Sequence, residues 1–517
     1  MTNSKTTRIF LQDEKTIRQL MKTNEPFSFI NDAGLLKSAS SLNENGTFLP
    51  ALPPSVFGDS GFCQTYGTKY AFYAGAMANA IASVDMVIAL GKQGMMGSFG
   101  AAGLVRPKLE AALDQIQKAL PEGPYACNLI NSPYEEALER NAVEVYLAKK
   151  VRVIEASAYL TVSPTIVWYR AAGLSKNPDG SVLISNHVIA KVSRNEVASK
   201  FMEPAPEKIL TQLVADGRIT REQAELAHLV PMADDITVEG DSGGHTDNRP
   251  LVCLLPTMLA LRDEMQAKYN YAQPVRIGAG GGISTPSSVL GAFMMGAAYV
   301  VTGSVNQACV ESGASKHTKD LLSQISMADV AMAPSADMFE MGVKVQVLKR
   351  GTMFYIRASK LYEIYSKYDS IEAIPADERE KLEKQIFQRN MDDIWNDTVS
   401  FFKERDPQQI ELAVKNPKKK MALVFRWYLG LSSRWSNSGE PGREMDYQIW
   451  CGPSMGSFND WTRPTYMAKP ENRHMADVTA HLFAGAVWQY RVQQLKLAGV
   501  DLPTRYQNYY PEKPLVN

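Results

Sequence analysis

Between about residues 61 and 335 short apolar runs alternate with longer stretches in which apolar residues return every three or four positions. The short runs include "VRVIEASAY", "VLISNHVIAKV", "DDITVEG", "PVRIGAGGG" and "AAYVVTGS"; between them lie "RPKLEAALDQIQKALP", "YEEALERNAVEVYLAKK" and "LVCLLPTMLALRDEMQAKYN". Strands alternating with helices predict a parallel sheet with crossover helices, an α/β fold. About eight such units can be counted, the number that closes a TIM (β/α)8 barrel of ~250 residues. An open doubly wound sheet is the alternative topology.

The period breaks at "EPAPEKILTQLVADGRITREQAELAHLVPMA", two amphipathic stretches around an Asp-Gly turn, which predicts a helical hairpin inserted at about 203–233. Residues 1–60 are polar and proline-punctuated and read as a lead-in segment with little core of its own. Residues 336–517 are helical and aromatic in pattern and predict an additional, mostly α-helical C-terminal region. The N-terminus lacks the apolar core of a secretory signal, and no apolar run is long enough to predict a membrane span.

Composition narrows the partners. Lys plus Arg and Asp plus Glu number 55 each in the 517 residues, so no overall field attracts nucleic acid. The five cysteines are odd in number and far apart, which fits a reducing, cytoplasmic setting. The six histidines form no HxxxH or HxH pair, so no metal site is expected.

In a barrel, phosphate is commonly held after the seventh and eighth strands. Two glycine clusters fall there: "GAGGGIS" from Gly278 to Ser284, and "VVTGS", ending in Gly303 and Ser304. Bare backbone lets a phosphate approach, and no Walker or dinucleotide fingerprint competes, so the phosphate of a mononucleotide cofactor is expected. In "EGDSGGHTDNRP", His245 should end the preceding strand and face the substrate as proton donor or acceptor. A structural histidine satisfied by Glu239 or Asp247 is the plainer reading. "GDSGG" also matches G-x-S-x-G with Ser242 as nucleophile, but "HTDNRP" follows where an elbow needs a helix.

"AGAMAN" (74–79), "QGMMGSFGAAG" (93–103), "CNL" (127–129), "EGDSGGH" (239–245), "GAGGGI" and "TGS" stand in an order that resembles nitronate monooxygenases and FabK-type enoyl-acyl carrier protein reductases. With "FRWYLGLSSRWSNSGEPGREMDYQIWCGPSMGSFNDW" the likeness covers nearly the whole chain. It then resembles the PfaD-type trans-acting enoyl reductases of polyunsaturated fatty acid synthases and trans-acyltransferase polyketide synthases. The resemblance implies an FMN-binding TIM barrel at 61–335, a substrate and carrier-protein region at 336–517, and NADPH, or else NADH, as electron source. The implied partners are an acyl carrier protein bearing an enoyl thioester and the synthase modules; homo-oligomerisation is left open.

Carried over residue by residue, Ala76 and Met77 lie against the isoalloxazine, Asn128 contacts the flavin, and Lys191 reaches its pyrimidine edge. Gly243, Gly244, Gly281, Gly282, Gly303 and Ser304 surround the ribityl phosphate, with Glu239 in the same cofactor-binding set. Hydride passes from flavin N5 to the β-carbon, and His245 is the catalytic residue that protonates the α-carbon. In a nitronate oxidase the same histidine would remove a proton, so nitroalkane oxidation is a second reading, and a non-catalytic synthase component is a third. The basic run Lys418–Lys420 is a candidate docking surface for the carrier protein. Trp427, Tyr428, Trp435 and Trp450 could line an acyl channel or pack a core.

Overall fold

The computed structural model describes residues 8–32, 35–38, 47–132 and 136–516; residues 1–7, read for a leader, lie outside them. The repeated units supply eight parallel strands: β1 (Phe72–Ala74), β2 (Met96–Phe99), β3 (Ala126–Ile130), β4 (Val153–Ser157), β5 (His187–Val192), β6 (Asp235–Glu239), β7 (Arg276–Gly280) and β8 (Val300–Thr302). Neighbours pair in sequence order, and β8 closes on β1 through Val300 opposite Phe72. Closure decides for the TIM barrel over the open sheet.

Both faces of these strands are buried, and β6 shows what that does to the pattern. Ile236 and Val238 are fully buried on the face toward the surrounding helices, while Asp235, Thr237 and Glu239 point inward in successive layers. Asp235 meets the Arg276 guanidinium at 2.7 and 2.8 Å. Thr237 bonds the Tyr73 and Tyr299 hydroxyls at 3.0 and 2.9 Å. Gly278 lies within β7 and makes room for the Tyr299 ring, which a Cβ would approach to 2.2 Å. The helix Ser60–Tyr66 plugs the N-terminal mouth: Phe62 stacks on Tyr299 at 4.4 Å, and Tyr66 donates to Asp235. Only the C-terminal rim is left to carry loops with chemistry.

Between β5 and β6 stand the helices Glu207–Ala215 and Arg221–Ala227. Thr220 and Gln223 cap the second reciprocally, and the Gln223 amide donates to Ala172 O at 3.0 Å, fixing this helical hairpin to the barrel's flank.

The chain from 336 to 517 is divided among several cores. Ala333, Phe339, Val345, Phe354, Leu361, Phe425 and Leu429 belong to a separate cluster, built on strands Val330–Pro334 and Lys344–Leu348 and on helices Phe354–Lys367 and Pro417–Ser438. Tyr447, Ile449, Cys451 and Phe458 rejoin the barrel core, as does Phe483 of helix Met475–Leu497, which stacks on Tyr70 at 4.7 Å. The lead-in segment borrows its core: Ile9, Leu11, Ile17 and Leu20 pack with Val492, Leu495, Val500 and Leu502, and Ile9 pairs with Val500 in a two-stranded parallel sheet.

Candidate active site

The loops after β6, β7 and β8 meet at the C-terminal rim. Gly281 and Gly282 follow β7 with φ of +78° each, a conformation that favours glycine. A Cβ on Gly281 would stand 2.7 Å from the Gly240 backbone, so the loop after β6 crosses directly above it. Gly243 is likewise closed off, its Cβ position lying 2.8 Å from the Cys451 backbone. By contrast, a Cβ on Gly244, Gly282 or Gly303 meets no atom within 4 Å. Gly303 caps the short helix Ser304–Gln307, and Ser304 Oγ accepts from Gly452 N at 3.0 Å beside the Cys451 thiol. Nearby, the hydroxyls of Ser242 and Thr302 are buried without a hydrogen-bond partner. Open backbone with orphaned hydroxyls beside it fits the phosphate of FMN.

Inside the rim sits a charged cluster. Lys191 on β5 places Nζ 3.4 Å from Glu155 Oε1 and 3.3 Å from Glu239 Oε1. Burial acts to lower the ammonium pKa, but the two carboxylates win and hold it above its usual value. The other oxygen of Glu155 accepts from the Ala76 N–H at 2.8 Å, tying the loop after β1 to the barrel interior. That loop also leans on the one after β2, since Asn79 and Ala80 have φ of 57° and 58° while their N–H groups bond Ala102 O and Gly100 O at 2.8 and 2.9 Å. Met77 is half-buried there, packed on the barrel core. Asn128 on β3 is buried and donates to Glu155 O and Ser157 Oγ at 3.1 and 2.9 Å.

His245 does not end a barrel strand. β6 stops at Glu239, and His245 lies further along, in a two-residue strand with Gly244 that pairs antiparallel to Lys344–Leu348. The extension therefore positions it. Its Nε2 is 3.1 Å from Ser335 Oγ and 3.2 Å from Asp337 Oδ1, and its side chain is 36% exposed. Asp247 is committed elsewhere, to Arg194 at 2.7 Å, and Glu239 to Lys191, so neither partner named for a merely structural histidine holds it.

The family model of nitronate monooxygenase matches residues 62–380, more than half of the chain. The chain belongs to the nitronate monooxygenase family. The inserted helical domain of [acyl-carrier-protein] S-malonyltransferase also matches, over residues 368–447. The enoyl reductase domain of MlnA, from the macrolactin biosynthesis cluster of Bacillus amyloliquefaciens, is 40% identical, with 86% of this chain and all of that one covered at a TM-score of 0.82. A polyunsaturated fatty acid synthase component of Thraustochytrium sp. is 51% identical over 85% of this chain, and polyketide biosynthesis protein PksE of Bacillus subtilis 43% identical over 89%. The chain spans 30% of the length of the first and 60% of the second.

Within this family member the structure brings together Ala76, Asn128, Lys191 and Glu239 around the barrel interior, and Gly243, Gly244, Gly281, Gly282, Gly303 and Ser304 at one side of the rim. Sequence reasoning missed Glu155, Ser335, Asp337 and Gln346. The signal for Glu155 was available: a lone acid in the apolar run "VRVIEASAY" must be paired if buried. Gln346 donates to Asp241 Oδ1 and Ser242 O, both at 2.8 Å, and so fixes the loop that carries His245. The serine-elbow alternative fails, because Ser242 leads into that strand pairing and not into a helix.

The structure bears on two further expectations that carried alternatives. The Lys418–Lys420 run is not a free basic patch: Lys418 donates to Tyr365 O and Tyr368 O, Lys419 meets Glu340 at 2.8 Å, and Lys420 meets Glu372 at 3.4 Å. The aromatic group packs the extension's core. Tyr428 is fully buried with its hydroxyl on Asp446 at 2.7 Å, and Trp427, Trp435 and Trp450 lie against the same cluster. Among the described residues no helix is long and apolar enough to cross a membrane.

Proposed function

We propose that this chain is a trans-acting enoyl reductase. It reduces the α,β double bond of enoyl thioesters on an acyl carrier protein with FMN and NADPH, in polyketide or polyunsaturated fatty acid biosynthesis. The observation that carries the reading is His245, held by a carboxylate beside an open, glycine-lined rim. Support comes from the likeness to the MlnA enoyl reductase domain over its whole length and to components of fatty acid and polyketide synthases.

When bound, FMN would supply hydride chemistry at the β-carbon, with a nicotinamide as the source of electrons. The chain's residues do the rest. Gly244, Gly282, Gly303 and Ser304 would hold the phosphate, mostly by backbone, while Gly243 and Gly281 let the loops close on one another. Ala76, Met77, Asn128, Lys191 and Glu239 would line the place of the ring, where the Lys191 ammonium would supply a positive charge. His245 gives a proton to the α-carbon. With Nε2 engaged by Asp337, the proton to be given stands on Nδ1 of the imidazolium. Activity should therefore fall as pH rises through the His245 pKa, which Asp337 raises against the effect of burial.

Purified protein should be yellow and should oxidise NADPH when an enoyl-pantetheine thioester is supplied, and it should ignore nitroalkanes. A chain that cannot be loaded with FMN, or that consumes oxygen with nitroalkane and leaves the thioester untouched, refutes the proposal. The phosphate site has its own test. Because a Cβ on Gly303 meets no protein atom, Gly303→Ala should melt within about 1 kcal/mol of wild type. Its FMN dissociation constant should rise about tenfold or more, as titration with FMN would show. Unchanged affinity would move the phosphate elsewhere.

A further inference from the structure

We propose that Asp337, with Ser335, is the positioning group of His245, supplied to the barrel's site by the C-terminal extension. This rests on the reading of His245 as proton donor and adds the group that orients and charges it. The two residues follow strand Val330–Pro334, which pairs with Lys344–Leu348, which in turn pairs with Gly244–His245. Three strands thus bring the imidazole and the carboxylate to one place from positions 92 residues apart in sequence. Ser335 is buried, bonds Val343 O through its own N–H at 2.9 Å, and its hydroxyl contacts Asp337 Oδ1 directly. Ser335 Oγ and Asp337 Oδ1 converge on a single ring nitrogen, so they leave the other nitrogen free to serve the site.

This is not a nucleophile triad. Ser335 and His245 do not form a relay to Asp337, because serine and aspartate share Nε2 and contact each other. The arrangement instead orients a ring. The charges that act on it are few: Asp337 and Glu239 favour the imidazolium, Lys191 opposes it, and Lys344 on the facing strand is exposed. Partial burial acts to lower the His245 pKa, and Asp337 is the group that overturns this. In return, the imidazolium holds the Asp337 carboxyl well below its usual range, against burial.

The sign follows. A histidine whose folded pKa is raised stays protonated, and its pairing intact, below its unfolded pKa of ~6.5, and loses both as pH rises through the folded value. Without Asp337 that loss should come earlier.

The experiment uses the full chain loaded with FMN and compares wild type with Asp337→Asn, Ser335→Ala, His245→Gln and the double variant His245→Gln/Asp337→Asn. Histidine-labelled protein gives the His245 titration by NMR, its signal assigned by its loss in His245→Gln. Asp337→Asn should lower the His245 pKa and shift the alkaline limb of enoyl-pantetheine reduction to lower pH by about one pH unit. It should slow turnover about 10- to 100-fold, the range seen when carboxylates orienting metal-bound imidazoles are removed. FMN affinity and the rate of flavin reduction by NADPH should not change, and the double variant should be no slower than His245→Gln alone.

An Asp337→Asn enzyme with the wild-type His245 titration and pH profile overturns the assignment, while a slow His245→Gln enzyme would still leave the proton-donor reading standing. Wild-type turnover in His245→Gln would instead remove that reading, and the positioning role with it. If Asp337→Asn fails to fold, Asp337→Ser with an unmoved His245 titration and pH profile gives the negative answer.

Discussion

His245→Ala is expected to keep its FMN and to lose about 10²- to 10⁴-fold in kcat for an enoyl thioester, the contribution of a well-placed general acid. The loss should fall on one half of the cycle. Anaerobic stopped-flow should find flavin reduction by NADPH at the wild-type rate, because that step needs no proton at the substrate's α-carbon. Reoxidation by enoyl-pantetheine should be slow. Retained colour is expected because His245 stands on the strand shared with the extension, and the open glycine positions of the phosphate site include Gly244 but no side chain of His245. Reoxidation at the wild-type rate would assign the proton to solvent or to another group at the rim.

The barrel was legible because its eight units repeat, and the glycine clusters after the last two strands put the expected phosphate site at the rim. What could not be read was which residues of a strand point inward. "DITVE" has the alternation of a half-exposed strand with its apolar face in, yet in a closed barrel both faces are buried. Ile236 and Val238 turn to the helices, and Asp235, Thr237 and Glu239 fill the interior. Glycines were over-read for a related reason. Gly278 belongs to the strand and makes room for Tyr299, and Gly281 is fixed by the Gly240 backbone, so only part of "GAGGG" faces open space. Asp337 was beyond reach of sequence, since "PSADM" carries no periodicity and its proximity to His245 exists only through two successive strand pairings.

Lys191→Met should be the most destabilising single change among the site residues. Lys191 is 17% exposed, and it lies between Glu155, fully buried, and Glu239, 22% exposed. Removing the cation leaves two carboxylates facing each other across the space it filled, and loss of one partner of a buried pair typically costs ~3–5 kcal/mol. Glu155→Gln in the same chain should restore part of the lost melting temperature, because it removes the charge left buried without its cation. FMN binding should weaken too, because Glu155 also holds the Ala76 N–H, and with it the loop expected to lie against the flavin. An unchanged melting temperature in Lys191→Met would mean that the fold does not depend on the pair. In that case the cation acts on the flavin alone, and FMN affinity should fall while stability does not.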